Sequence, residues 1–343
     1  MDFVHLHAHS EFSFYGGVPK IIDLVLTAKR HGHKAVALTD TNRMSGLIEF
    51  YLACQKHQIK PILGVELTVN ESSQENLVIL AKNAQGYGDL CSVISQKHLE
   101  KQFSLSRFLH KRNWENLFFV SNYPNVLSLI ATTENKSNLY AELINNSKDS
   151  RMRSKEVELF ALENNIPIIA TNDVFFIEQK DWSTHKVLRA IGFNSTLSRL
   201  EEGEIAPRSA YFRSTTEMAN QFPNHLHALE NTIKLTNQCN VKLDLGKWIL
   251  PTVDVPSGYS PESFLAKVAF EGLERNYANT EYFEKAKKIQ HMELKVIEKL
   301  GYASYFLMVK DIRDWASEKH RTRYRKANDC SILRGSAANS ITF

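Results

Sequence analysis

The stretch Phe3-Val4-His5-Leu6-His7-Ala8-His9-Ser10 decides how this chain is read. A short apolar run carries histidines at alternate positions. A β-strand sends alternate side chains to one face, so a strand here projects His5 and His7 together from its end. His9 continues the alternation just past that end. Neutral imidazole is the commonest nitrogen ligand for zinc and similar ions, which makes the pair a candidate metal site. A hydrogen-bonded structural pair is the other reading of the same residues.

Working outward, three more apolar runs end in acids. They are Ala35-Val36-Ala37-Leu38-Thr39-Asp40, Pro61-Ile62-Leu63-Gly64-Val65-Glu66 and Ile166-Pro167-Ile168-Ile169-Ala170-Thr171-Asn172-Asp173. Between them lie helical patterns: Ile22, Val25 and Leu26 within 19–31, and Leu47, Phe50, Tyr51 and Cys54 within 45–58. Alternating strands and helices predict an α/β fold of parallel strands with crossover helices. A barrel of that kind keeps its active site at the carboxyl ends of the strands. Each acid taken alone is equally a helix cap, which suits Asp40 ahead of the helix near Met44. Three such acids together with the histidine pair shift the reading toward a site.

Length and composition bound the rest. The 343 residues suggest two or so domains, and a hydrophobic content of 43% suffices for a full core. No apolar run reaches membrane length, and Asp2 and the histidines interrupt the start, so neither a membrane span nor a signal peptide is expected. Cys54, Cys91, Cys239 and Cys330 show no metal-type spacing and read as reduced thiols, which points to a cytoplasmic protein. Net charge is only +4, but 319–334 holds six Lys or Arg against one Asp. Such a run is a solvated face or a contact for a phosphate backbone.

Several motifs in order carry a family resemblance. His5-Leu6-His7, Leu38-Thr39-Asp40, Lys60-Pro61-Ile62-Leu63-Gly64-Val65-Glu66 and Ala170-Thr171-Asn172-Asp173-Val174 resemble the polymerase and histidinol phosphatase (PHP) domain at the amino terminus of bacterial C-family DNA polymerases. Phe212-Arg213-Ser214-Thr215-Thr216-Glu217-Met218 resembles the stretch after that barrel. Leu300-Gly301-Tyr302-Ala303-Ser304-Tyr305-Phe306-Leu307 resembles the approach to the polymerase palm. Arg334-Gly335-Ser336-Ala337-Ala338-Asn339-Ser340 resembles the palm motif that binds the incoming triphosphate, in wording similar to the error-prone branch, with Leu333 where the family has Gly.

The resemblance implies a distorted (β/α)7 barrel over 1–193, a helical connector and linker over 194–260, and the start of a palm over 261–343. It implies template-directed DNA synthesis, with DNA, dNTP and other replisome subunits as partners and magnesium as the polymerase's ion. His5, His7, Glu66, Asp173 and Asp40 stand at positions matching the PHP metal site, and Arg334, Gly335 and Ser336 at the triphosphate motif. The PHP site departs from the family's pattern, however. Thr41 and Phe175 replace histidines, Gly16 replaces an acid, and Ile130 to Glu134 lacks the usual cysteine or histidine. His98 is a stand-in for one ligand at most. The expectation is a degenerate site holding a zinc, manganese or magnesium ion weakly and serving mainly as scaffold. No acid follows Asp329, so the palm carboxylates that hold magnesium are missing from these 343 residues. The chain is therefore expected to be a truncated polymerase, inactive in synthesis on its own. A free-standing PHP phosphoesterase and a remnant without function are the alternatives.

Overall fold

The computed structural model describes residues 2–70, 75–100 and 103–323. Contacts divide the chain into two compact units, 1–243 and 244–343.

In the first unit α1 (Ile21–Arg30) leads to β1 (Ala35–Leu38), α2 (Leu47–His57) and β2 (Lys60–Asn70). Then come β3 (Glu75–Ala81), α3 (Ala84–Leu99), α4 (Leu105–Leu109), β4 (Leu117–Ser121), α5 (Pro124–Ala131), β5 (Leu139–Ile144), α6 (Lys148–Asn164), β6 (Ile168–Thr171) and α7 (Trp182–Gly192). The strands are apolar runs buried on both faces, such as Ala35-Val36-Ala37-Leu38 and Leu117-Phe118-Phe119-Val120. That is the composition a helix-covered sheet requires. Local signals set the helix ends: Asn83 caps α3, Ser147 and Ser150 form a capping box on α6, and Gln58 and Asn165 end α2 and α6 in the left-handed conformation.

The six strands pair in sequence order. β1 and β2 are parallel, as are β4, β5 and β6, but β3 is antiparallel to both its neighbours. The expected all-parallel order fails there because only four residues separate β2 from β3, too few for a crossover helix. The N-terminal segment closes the barrel. Ala37 and Thr39 donate to the carbonyls of His5 and Ala8 on one side. On the other, Val174 donates to His7 and His9 to Val174. It thereby links β1 to the segment just after β6, with an isolated parallel bridge between Ala8 and Val174, and brings the two edges of the six-stranded sheet together in an α/β fold of PHP type.

The unit continues past 193 because α8 (Thr215–Gln221) and α9 (Leu226–Gln238) belong to it. Thr232 Oγ1 accepts from Val4 N–H at 3.1 Å, Asn231 donates to Ile168 O, and Lys60 Nζ donates to Thr236 O. Leu235 and Cys239 join a core with Val4, Leu6, Ala37, Ile62, Val120 and Ile169. Helix α9 thus packs at the amino ends of the strands, leaving the carboxyl ends open. The helices placed in a connector from sequence are part of the barrel body.

Among the described residues the second unit contains three helices, α10 (Pro261–Tyr277), α11 (Phe283–Leu300) and α12 (Ala303–Arg323). Gly301, at φ +73°, ends α11 in the left-handed conformation that glycine adopts without strain. Among the described residues the core of this unit is formed by Leu265, Ile297, Ala303 and Leu307, with Phe264, Leu294 and Phe306 packed against them. Arg334, Gly335 and Ser336 lie outside the described residues, as does most of the basic run before them.

Candidate metal centre

The strand-end residues converge at the carboxyl ends of the barrel, but not in the set expected from alternation. Phe3 and His5 turn away from it. His5 is buried, with Nε2 2.8 Å from the Arg213 carbonyl and its ring against Phe3, His33 and Phe212. The chain bends at His7, and His7 and His9 are the two imidazoles that meet, with ring centroids 5.2 Å apart. His5 is therefore not brought into the cluster, and His9, placed past the strand end from sequence, is. A strict two-residue period holds only while the backbone stays straight.

Glu66 and Asp173 complete the group. His7 Nε2 lies 3.4 Å from Glu66 Oε1 and 3.4 Å from Asp173 Oδ1. His9 Nε2 lies 3.2 Å from Asp173 Oδ1 and 3.9 Å from Glu66 Oε2. Ligand atoms of His7, His9 and Glu66 fall within 4.8 Å of one another. Asp173 reaches in from a left-handed backbone at φ +48°, a conformation Asp tolerates better than most residues.

The sequence reading missed Glu142, on β5. Its Oε1 is 2.8 Å from His7 Nδ1 and accepts from Thr171 Oγ1 at 2.6 Å. The acid interrupts an otherwise apolar run, Leu139-Tyr140-Ala141-Glu142-Leu143-Ile144, and that was the available signal. Glu142 orients the ring by holding Nδ1, the arrangement usual behind a metal-ligating histidine. His7 Nε2 is then left buried without a hydrogen bond. Burial alone lowers the pKa of a histidine. Here Glu142 first, then Asp173 and Glu66, outweigh it and hold His7 well above its ordinary value. The same contacts overcome burial at Glu66 and Asp173, whose carboxyls stay below their ordinary values.

Asp40 has different work. Oδ1 accepts from Ser10 N–H and Ser13 Oγ, each at 2.7 Å, and Oδ2 accepts from Ser10 Oγ at 2.8 Å. It pins the loop over 10–17, neither facing the cluster nor capping α2, whose N-cap is Gly46. Gly17 must stay a glycine in that loop, since a Cβ there would sit 1.9 Å from Ser10 O. His98 bonds the Asn42 carbonyl at the end of α3 and lies outside the cluster.

Three of the four departures from the family pattern, Thr41, Phe175 and Gly16, sit around the mouth. Thr41 donates Oγ1 to Glu66 Oε2 at 2.8 Å, and Asn76 donates to Glu66 Oε1 at 2.8 Å. The Phe175 ring stacks on His9 at 4.2 Å. Gly16 accepts from His185 Nδ1 at 2.7 Å while His185 Nε2 accepts from Ala206 N–H. Burial pushes His185 down to about 4, so the ring is neutral with one nitrogen a donor and the other an acceptor. The mouth opens into a cavity of about 330 Å³ whose lining includes His7, Glu66, Glu142 and Asp173 with Arg153 and Arg189.

The donors present fit one divalent ion. A buried imidazole nitrogen lacks a partner, a second imidazole stands beside it, and two carboxylates adjoin both. Among the described residues His7, His9 and Glu66 form the group that meets the spacing for one ion, and Thr41 and Asn76 donate to the two oxygens of Glu66.

Comparison with known proteins places this geometry. Residues 5–174 match the PHP domain, and residues 263–343 match the bacterial DNA polymerase III alpha NTPase domain. The chain belongs to the bacterial DNA polymerase III alpha family. It is 30% identical over 352 residues to DNA polymerase III subunit alpha of Pseudomonas fluorescens, covering 92% of this chain and 30% of that one. The same subunit of Escherichia coli K12 is 31% identical over 356 residues, covering 92% and 30%. The chain thus spans about 30% of the length of the curated relatives it matches. A two-domain protein from Bacteroides vulgatus containing a PHP-like metal-dependent phosphoesterase aligns over 55% of this chain and 58% of its own, at 17% identity and a TM-score of 0.38. Among the described residues no helix is long and apolar enough to cross a membrane.

Proposed function

We propose that this chain is the PHP-bearing portion of a cytoplasmic DNA polymerase III alpha subunit, in which the barrel is chiefly a scaffold and its metal site is reduced to one weak position. The parent assembly would copy DNA from dNTP with magnesium, alongside other replisome subunits, and Arg334, Gly335 and Ser336 would meet the triphosphate. The observation that supports the reduced site is what stands at its mouth: the Thr41 hydroxyl donates to Glu66 and the Phe175 ring lies flat on His9, two side chains that offer no imidazole nitrogen to an ion.

His7 Nε2, His9 Nε2, Glu66 and Asp173 would hold the ion, be it zinc, manganese or magnesium, with Glu142 orienting His7. A bound divalent ion supplies Lewis acidity and an acidified water. Arg153 and Arg189 on the cavity wall would attract an anion, and Tyr123, under the Arg153 guanidinium at 4.3 Å, keeps that cation in place.

Elemental analysis after dialysis tests the assignment. At most one ion per chain is expected, lost in His7→Ala and in His9→Ala but retained in His5→Ala. Two or three tightly held ions would overturn the reduced site. The alternative, a working phosphoesterase, draws on the polar cavity beside the cluster. Turnover of a phosphate ester or single-stranded DNA that vanishes in His7→Ala would establish it; turnover no higher than that of the variant is expected.

A further inference from the structure

Helix α11 has two unlike faces. Ala286, Gln290 and Ile297 are buried, Leu294 packs beside Ile297, and Gln290 Nε2 donates to Ala269 O on α10 at 2.9 Å. The opposite face carries Met292, Val296 and Leu300 at four-residue steps, exposed by 61%, 51% and 59%. Lys288, Lys295 and Lys299 stand three or four residues from these and share their face, with Lys285 one turn further toward the start. Lys285, Lys288, Lys295 and Lys299 dominate the charge along this stripe, with Glu284 at its border in the first turn. The stripe runs for about 22 Å along the helix.

Single exposed apolar residues are ordinary. A row of three at helical spacing beside a row of lysines is the pattern by which helices dock on helices. We propose that this face of α11 is a docking surface for an acidic amphipathic helix of a partner protein. The apolar row decides between occupants. A nucleic-acid backbone would satisfy the lysines but set Met292, Val296 and Leu300 against phosphates. A partner helix with a leucine ridge and a flank of acids satisfies both rows, and the lysine stems add apolar cover while their heads reach the acids. A one-helix contact lies at the small end of specific interfaces, so micromolar affinity that weakens with salt is expected.

The test uses the whole 343-residue chain. A labelled helical peptide of about five turns, with leucines along one face and glutamates beside them, is titrated by fluorescence anisotropy. The same peptide with lysines for glutamates, a DNA duplex, and phosphatidylserine vesicles are titrated alongside. Saturable binding of the glutamate peptide alone is expected, weakened about tenfold or more by the pair Met292→Glu and Val296→Glu. The pair Lys288→Glu and Lys295→Glu should reverse the preference toward the lysine peptide. All four positions are exposed, and unchanged circular dichroism would show that the fold survives. Failure of the glutamate peptide to bind would overturn the proposal. So would unchanged preference in the charge-reversed variant, or tighter binding of DNA or vesicles through the same residues.

Discussion

At the scale of single residues, acids and histidines that look alike in sequence separate by their partners. Asp40 accepts three hydrogen bonds from Ser10 and Ser13. Asp40→Ala would leave those donors without their acceptor in a buried loop. A loss of roughly 2–4 kcal/mol is expected, read from the urea midpoint, with ion uptake by the folded protein retained. Any loss of uptake at unchanged stability would instead make Asp40 a ligand. His185 carries a pH dependence. Its ring is neutral when folded, with a pKa near 4, against 6.5 for a free histidine. The unfolded ring takes the proton first, so acid favours unfolding. The contribution is complete above pH 6.5, falls away between 6.5 and 4, and amounts to roughly 3 kcal/mol. Urea titrations at pH 7.5 and pH 5 should show a smaller difference in His185→Gln than in the parent chain. An equal difference in both would mean His185 is not the group responsible. Neither role was visible in sequence, because Ser10, Ser13, Gly16 and Ala206 are brought to these side chains only by folding.

At the scale of elements, β1, β2, β6, α1 and α2 were legible from periodicity alone, within a few residues of their ends. β3 to β5 were less so. Leu77-Val78-Ile79-Leu80-Ala81 is an apolar run whose direction no local feature encodes, and pairing with both neighbours made it antiparallel. Packing of α9 against the amino ends of the barrel rests partly on one hydrogen bond, from Val4 N–H to Thr232 Oγ1. Thr232→Val keeps the volume and removes the acceptor. It should cost roughly 1–3 kcal/mol by denaturant unfolding. No change would mean that apolar contacts of Leu235 and Cys239 alone seat the helix.

At the scale of the molecule, the two units differ in how much they bury. Among the described residues the barrel has an extensive core, whereas the three helices of the second unit share a handful of buried side chains. Residues 244–260 carry Trp248 and Ile249, exposed by 87% and 94%, with no helix or strand. Brief chymotrypsin digestion should cut after Trp248 first and leave a fragment of the barrel that resists further cleavage. First cuts within 2–243 would contradict the division at 243.

By itself the sequence determined the chemistry available and its rough address: histidines on the first strand, acids at the ends of later ones, and an α/β order that puts those ends on one rim. These follow from local periodicity, which each segment carries in its own residues. Only the tertiary structure decided which of them meet. The bend at His7 traded His5 for His9, the serines claimed Asp40, and Glu142 came to stand behind His7 from a strand far along the chain. Such choices depend on where separate strands end in space, and no single segment holds that information.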